Sequence, residues 1–208
     1  MPHVVFTGGD PLERSDLFEL IEYARVRGLG VSVAPSGTPL LTAVAVGALK
    51  AAGTEAISLS LDGSTAARHD ALRGVPGCFD RTLAAAAAAR AATLPFQINT
   101  LVSAETLDDL PVIHRLAAEL RAARFSLFFL VSVGRGTVLE QITSAQLDAV
   151  LQWLAGLAGI RPPLVTTTEA PQFRRLERRQ GAHVPGAGVR DGNGIVFVSS
   201  VRARAIHG

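Results

Sequence analysis

Short β-branched runs alternate along the chain with longer segments whose apolar residues recur at helical spacing, and a polar, Gly-containing loop follows most of the runs. The first run covers residues 4–7 and ends in Gly8-Gly9-Asp10-Pro11. Over residues 15–27, Leu17, Leu20, Ile21 and Ala24 fall on one helical face. Ser15 or Asp16 suits the N-cap there, and Gly28 the terminating position. The same succession predicts a strand over 30–34, a helix over 41–52 stopped by Gly53, and a strand over 56–61 ending in Asp62-Gly63. A polar connection carrying His69, Asp70 and Arg73 then leads to a helix over 79–92. Strands over 95–102, 124–131 and 164–168 and helices over 107–122 and 144–157 continue the series, with Gly134-Arg135-Gly136 after the fifth strand. Residues 180–193 are rich in Gly and Pro, 195–199 are strand-like, and 201–208 show no amphipathic pattern.

Strands alternating with helices predict an α/β fold with a parallel sheet, either an open doubly wound sheet or a β/α barrel. The nearly continuous apolar runs predict burial of both sheet faces beneath helices. In either architecture function sits on the loops after the strands' C-terminal ends. The unusual residues collect there, at 8–11, 36–38, 62–63, 99–100 and 134–136. Residues 1–180 read as one core domain and 181–208 as a Gly/Pro-rich segment beyond it.

Composition narrows the function classes. The 208 residues are 48% hydrophobic, enough for a sizeable core, and the formal net charge is only +2. Lys50 is the sole lysine, and no basic stripe carries interleaved aromatics, so no nucleic-acid partner is expected. The cluster Arg174, Arg175, Arg178 and Arg179 reads as the solvated face of one helix end. No stretch approaches the ~18 consecutive apolar residues of a membrane span, so no membrane association is expected. The start lacks the pattern of a signal peptide, which points to a cytoplasmic location. Cys78 is the only cysteine, which rules out an intrachain disulfide and any site needing several thiolates from this chain. His3, His114, His183 and His207 are dispersed without metal-ligand spacing. His69 and Asp70 are adjacent and unsuited to converge as an acid–base pair; Asp70 instead suits a turn cap.

Phe6-Thr7-Gly8-Gly9-Asp10-Pro11 resembles the strand-end GGE/GGD-P motif of radical SAM proteins. Ser58-Leu59-Ser60-Leu61-Asp62-Gly63, with His69-Asp70 and Arg73-Gly74, resembles the SLDG…HD..RG segment of their SPASM-type subgroup. Gly77, Phe79 and Gln97-Ile98-Asn99-Thr100 continue the series in order. That subgroup includes peptide-modifying maturases and enzymes of haem d1 and pyrroloquinoline quinone biosynthesis. The resemblance implies a partial (β/α)6-type barrel with parallel strands that lacks the first β/α unit. It also implies S-adenosylmethionine and a 4Fe–4S cluster as cofactors, and reductive cleavage of the former to a 5′-deoxyadenosyl radical that attacks a peptide or tetrapyrrole-type substrate.

Carried over residue by residue, the resemblance assigns Gly8, Gly9 and Asp10 to the cofactor's amino group. Ser60 and Asp62 match its methionine or ribose portion, and Asn99 the ribose. Arg73 matches its carboxylate, while Ser36, Thr38 and Glu169 lie on the same rim. The CxxxCxxC motif, whose thiolates hold the cluster, has no counterpart, so no cluster is expected in this chain and no radical chemistry from it alone. The pattern is that of a piece truncated at both ends. Two other readings remain: a non-catalytic remnant acting through protein contacts, and a cluster-independent barrel enzyme binding phosphate at Gly8-Gly9 and Gly134-Arg135-Gly136.

Overall fold

A computed structural model describes residues 2–130, 139–157 and 163–168, and the backbone of 195–199. Its strands are β1 (His3–Thr7), β2 (Gly30–Val33), β3 (Ala56–Ser60), β4 (Phe96–Val102), β5 (Arg124–Phe129), β6 (Leu164–Thr168) and β7 (Ile195–Ser199). They form one sheet in the order β6-β5-β4-β3-β2-β1-β7, with every neighbouring pair parallel. The helices are α1 (Leu17–Val26), α2 (Ala43–Ala51), α3 (Ala66–Arg73), α4 (Cys78–Ala91), α5 (Leu110–Glu119) and α6 (Ser144–Leu157).

From β1 to β6 the spatial order follows the chain order. Right-handed crossovers that always step in one direction put all their helices on one side of the sheet. A doubly wound sheet would instead reverse at a switch point. The winding is therefore that of a barrel wall, an α/β partial barrel as the sequence implied. β7 adds to the outer side of β1, in register from His3↔Ile195 to Thr7↔Ser199.

Side chains on β3 and β4 alternate strictly between buried and half-buried. Ile57, Leu59, Phe96, Ile98, Phe125 and Leu127 face the helices and join one core with Leu17 and Ile21 of α1, Val46 and Leu49 of α2, and Ile113 of α5. On α4 the alanine run supplies Ala85, Ala86 and Ala89, all buried, whose small side chains let the helix lie close to β3.

The opposite face is polar. Register aligns Ser58 with Gln97, Ser60 with Asn99, Asn99 with Ser126, and Ser126 with Thr166. Gln97 Nε2 donates to Asn99 Oδ1 (2.9 Å), and the Ser126 and Thr166 hydroxyls lie 2.6 Å apart. At the strands' N-terminal ends His3 Nε2 and Ser32 Oγ are 2.8 Å apart. The expectation that helices bury both faces is overturned. The runs read as apolar because one face is strongly so, while serine and threonine interrupt them only at every second position.

Other local differences have simple causes. Residues 66–73 form a helix rather than a polar connection, N-capped by Thr65 and ended by Gly74 in a left-handed conformation (φ 66°). α2 starts two residues late because the Thr42 hydroxyl accepts from the Ala45 amide and caps it. α5 starts at Leu110, after a 3₁₀ turn over Leu107–Asp109, with Pro111 in its first turn.

One-sided burial makes a paired prediction. Ile98→Ala, on the helix-facing side, should destabilise the fold by about 2–5 kcal/mol, whereas Ser58→Ala on the same sheet should stay within about 0.5 kcal/mol, both read from urea denaturation.

Candidate functional site

Two groups of residues form at the C-terminal rim of the sheet. The first is the loop after β1. Gly8 (φ 139°) adopts a backbone conformation that favours glycine, and both Gly8 and Gly9 are exposed. Asp10 is buried at 8% exposure and caps the following 3₁₀ turn by accepting from the Leu12 amide (3.1 Å). Its carboxylate also receives the Ser36 amide (3.3 Å) and the Thr38 hydroxyl (2.5 Å), and the Ser36 hydroxyl donates to the Gly9 carbonyl. Asp10 thus ties the β1 loop to the β2 loop, and Ser36 and Thr38 are its partners.

The second group surrounds the end of β3. The β3–β4 ladder runs as far as the Leu61 amide, which donates to the Asn99 carbonyl (2.9 Å). Side chains then replace the backbone: the Thr100 hydroxyl donates to the Leu61 carbonyl (2.7 Å), and the Leu101 amide to Asp62 Oδ1 (2.7 Å). The other carboxylate oxygen, Oδ2, pairs with Arg73 Nη2 at 2.6 Å. Asp62 is 4% exposed while the Arg73 side chain is 38% exposed, so the pair joins a buried carboxylate to a solvent-facing guanidinium.

Behind Asp62 stands His69, completely buried. Its Nδ1 accepts from the Asp62 amide at 2.9 Å, which places the ring proton on Nε2, where it has no partner among the described residues. An unpaired buried donor of this kind costs about 1–3 kcal/mol. Burial pushes the His69 pKa below its ordinary value, and the Asp62 charge works against that shift. The ring leans on Phe79 at 6.1 Å between centroids. Helix α3 comes this close because residue 63 is glycine: a Cβ there would lie 2.6 Å from the His69 backbone nitrogen and 2.8 Å from Arg68 Cβ.

Flanking carboxylates fix the surrounding loops. Asp70 accepts from the Phe79 amide (2.8 Å) and the Gly77 amide (2.5 Å), holding the start of α4; these bonds, Phe79 first, keep its carboxyl below the usual range. The turn-cap role predicted for it is present. Asp109 accepts from the amide and hydroxyl of Ser64 (both 2.7 Å) and pairs with Arg68 Nε at 3.1 Å. Sequence reasoning missed Asp109, since nothing in its neighbourhood signals a contact 45 residues away.

An open cleft of about 280 Å³ lies at the ends of β3 and β4. Ser60, Asp62, Arg73 and Asn99 form its polar wall, and Leu72, Leu101, Phe128 and Leu139 its apolar wall. The structure therefore brings Ser60, Asp62 and Asn99 together, with Arg73 added, while Gly8, Gly9 and Asp10 lie in the separate loop cluster on the same rim. Phe128 escaped the sequence reading; its signal was a large aromatic on the polar face, two residues beyond Ser126 and 36% exposed. Arg135 and Glu169 lie outside the described residues, as do His183 and the arginine cluster at 174–179. Cys78 is buried at the start of α4 beside Gly37, and burial pushes its thiol pKa up. Among the described residues no helix is long and apolar enough to cross a membrane.

Known proteins resemble this chain in both sequence and fold. The radical SAM superfamily profile matches residues 1–117. An AdoMet-dependent heme synthase of Methanosarcina barkeri is 38% identical over 96% of this chain and 61% of its own length. The corresponding protein of Nitratidesulfovibrio vulgaris is 37% identical over 92% of this chain and 52% of its own. A PqqA peptide cyclase of Ruegeria pomeroyi is 39% identical over 57% of this chain and 31% of its own. The chain thus spans about half to three-fifths of the heme synthases' length. Among solved structures, Streptococcus suis SuiB superposes with a TM-score of 0.73 at 16% identity, over 95% of this chain and 48% of SuiB.

Two outcomes are expected from this geometry. Gly63→Ala should destabilise the fold by about 1–3 kcal/mol in urea, through overpacking of α3 against the β3 end. His69 and His114 are both held neutral by burial, so their contribution is complete above the ordinary value of 6.5. It should fade as pH falls below that value, because the unfolded chain takes up protons first; the urea midpoint should drop between about pH 7 and 5.

Proposed function

The chain belongs to the radical SAM superfamily, and from that premise we propose that the cleft at the ends of β3 and β4 forms part of an S-adenosylmethionine site in an enzyme acting on a tetrapyrrole-type substrate. What carries the reading is the convergence of Ser60, Asp62, Arg73 and Asn99 with an apolar wall in one cleft. The ligand's chemistry divides the same way. Its carboxylate suits the Arg73 guanidinium, which has further N–H donors beyond the nitrogen paired with Asp62. Its ribose hydroxyls suit Asn99 and Ser60, and its adenine a surface of Phe128, Leu101 and Leu139. The exposed Gly8-Gly9 backbone on the same rim suits its amino group, with Asp10 shaping that loop.

The iron cluster is a different matter. A 4Fe–4S cluster of this family needs three closely spaced thiolates, and the chain has one cysteine, buried and with its thiol pKa raised. These residues do not fit the group, and no step through it is assigned to them. The contribution of the chain is to bind and orient the cofactor, with the electron source outside these 208 residues.

A tetrapyrrole-type substrate is preferred because the heme synthase relatives match almost the whole chain. A peptide substrate is the second reading, favoured by the peptide cyclase relatives, which match a shorter part. We assign residues 1–180 to the partial core barrel and 181–208 to a Gly/Pro-rich segment after it, whose strand β7 pairs back onto β1 of that barrel, in a cytoplasmic protein.

Equilibrium dialysis tests the cofactor reading. S-adenosylmethionine should bind saturably, and Asn99→Ala should weaken it about tenfold; equal binding by both proteins would remove the cleft from the site. Anaerobic treatment with iron and sulfide should leave no stable 4Fe–4S absorbance, and a stable cluster on this chain alone would overturn its assignment as the binding wall only.

A further inference from the structure

His69 takes no part in the cofactor reading, is wholly buried, and carries a polar atom with no partner among the described residues. A leucine or phenylalanine would fill the same volume without burying an unpaired N–H. What an apolar residue lacks is the Nδ1 acceptor, and that atom receives the Asp62 amide. Successive amides of a strand point to opposite neighbours, so after Leu61 donates to β4 the Asp62 amide faces the β2 side, where the paired positions stop at Val33↔Ile57 and no strand of the described residues meets it.

His69 and Arg73 are four apart on α3 and share one face of the helix. Together they hold one residue at both ends: His69 its backbone N–H, Arg73 its carboxylate. The same Asp62 carboxylate accepts from the Leu101 amide, and the Arg73 guanidinium stands on the cleft wall.

We propose that His69 is the positioning residue of this cleft, a neutral acceptor that fixes the Asp62 backbone and thereby sets the Asp62–Arg73 pair toward the ligand. The positioning itself stands on geometry; its consequence for binding rests on the cofactor reading above. Protonating Nδ1 would abolish the acceptor and place a cation inside α3. The charged groups facing His69 are Asp62 at the end of β3 and Arg73 and Asp70 on α3, and α4 presents the neutral ring of Phe79. Burial, aided by the Arg73 guanidinium, outweighs the Asp62 and Asp70 carboxylates in keeping it neutral.

The test compares H69N, H69Q and H69L in the full chain. Asparagine places its amide oxygen near the Nδ1 position, glutamine reaches toward Nε2, and leucine has no acceptor. Amide hydrogen exchange by NMR reads the Asp62 and Leu101 N–H groups against Ile57 and Ile98, buried ladder residues that a general loss of stability would move equally. In H69L and H69Q the first two should exchange about tenfold faster relative to the second two, and in H69N they should stay within about threefold of wild type. Wild type should lose the same protection on acidification below the ordinary histidine range, and H69N should not. Should H69L fail to fold, H69Q and the wild-type titration make the same comparison.

Unchanged relative exchange in H69L and H69Q, or an H69N no better than H69L, would overturn the proposal and leave His69 as a space-filling ring. Dialysis with S-adenosylmethionine forms a second arm, in which H69L should bind about tenfold more weakly and H69N should recover. If wild type binds no S-adenosylmethionine, the cofactor reading falls, while the exchange data still decide whether His69 positions Asp62.

Discussion

The sequential strand order constrains everything else in the molecule. Because each crossover advances in the same direction, the helices of the described residues gather on one sheet face. The hydrophobic driving force can then act on only half of the strand positions, those of Ile57, Leu59, Ile98 and Phe125. The remaining positions are free to be Ser58, Gln97, Asn99 and Ser126, and they meet across the strands as hydrogen-bonding neighbours. A wall of short polar side chains under a rim of turning loops is what a barrel needs to hold a charged small molecule. It exists here because the core has been confined to the other side.

The SLDG…HD..RG segment is one mechanical unit rather than a row of ligands. Leu61 ends the ladder, Asp62 extends it with a carboxylate, and Gly63 clears the space for α3. His69 and Arg73 then grip Asp62 from the helix, and Asp70 reaches on to the first turn of α4. Within that unit Asp62 and Arg73 face the cleft, whereas the others serve to place them. The same holds at the first rim loop, where the Asp10 carboxylate is committed to Leu12, Ser36 and Thr38.

Most of the element series was legible in the sequence, because periodicity and Gly terminators at positions 28 and 53 mark helix ends directly. Residues 66–73 were not, since that helix buries only His69 and so lacks an apolar stripe. The alternation on β2 to β5 was also hidden: Val31-Ser32-Val33 and Leu127-Phe128-Phe129 look apolar as strings, and only the pleat separates the two faces. Ser60, Asp62 and Asn99 were found through their motif, and register alignment explains their meeting. His69 was set aside because a sequence cannot reveal which backbone amide a ladder will leave unpaired. Phe128, Leu139 and Asp109 depend on contacts between distant segments, which local pattern does not encode.

Cys78 gives the molecule a native gauge of its own breathing. As the sole thiol it yields a single alkylation rate, and its sulfur fills the space where Gly37 has no side chain. Arg81 bridges the same seam by donating to the Gly37 carbonyl at 2.8 Å. A reagent therefore reaches the buried sulfur through local opening, such as the loop after β2 lifting from α4, and its modification rate counts those openings without any introduced label.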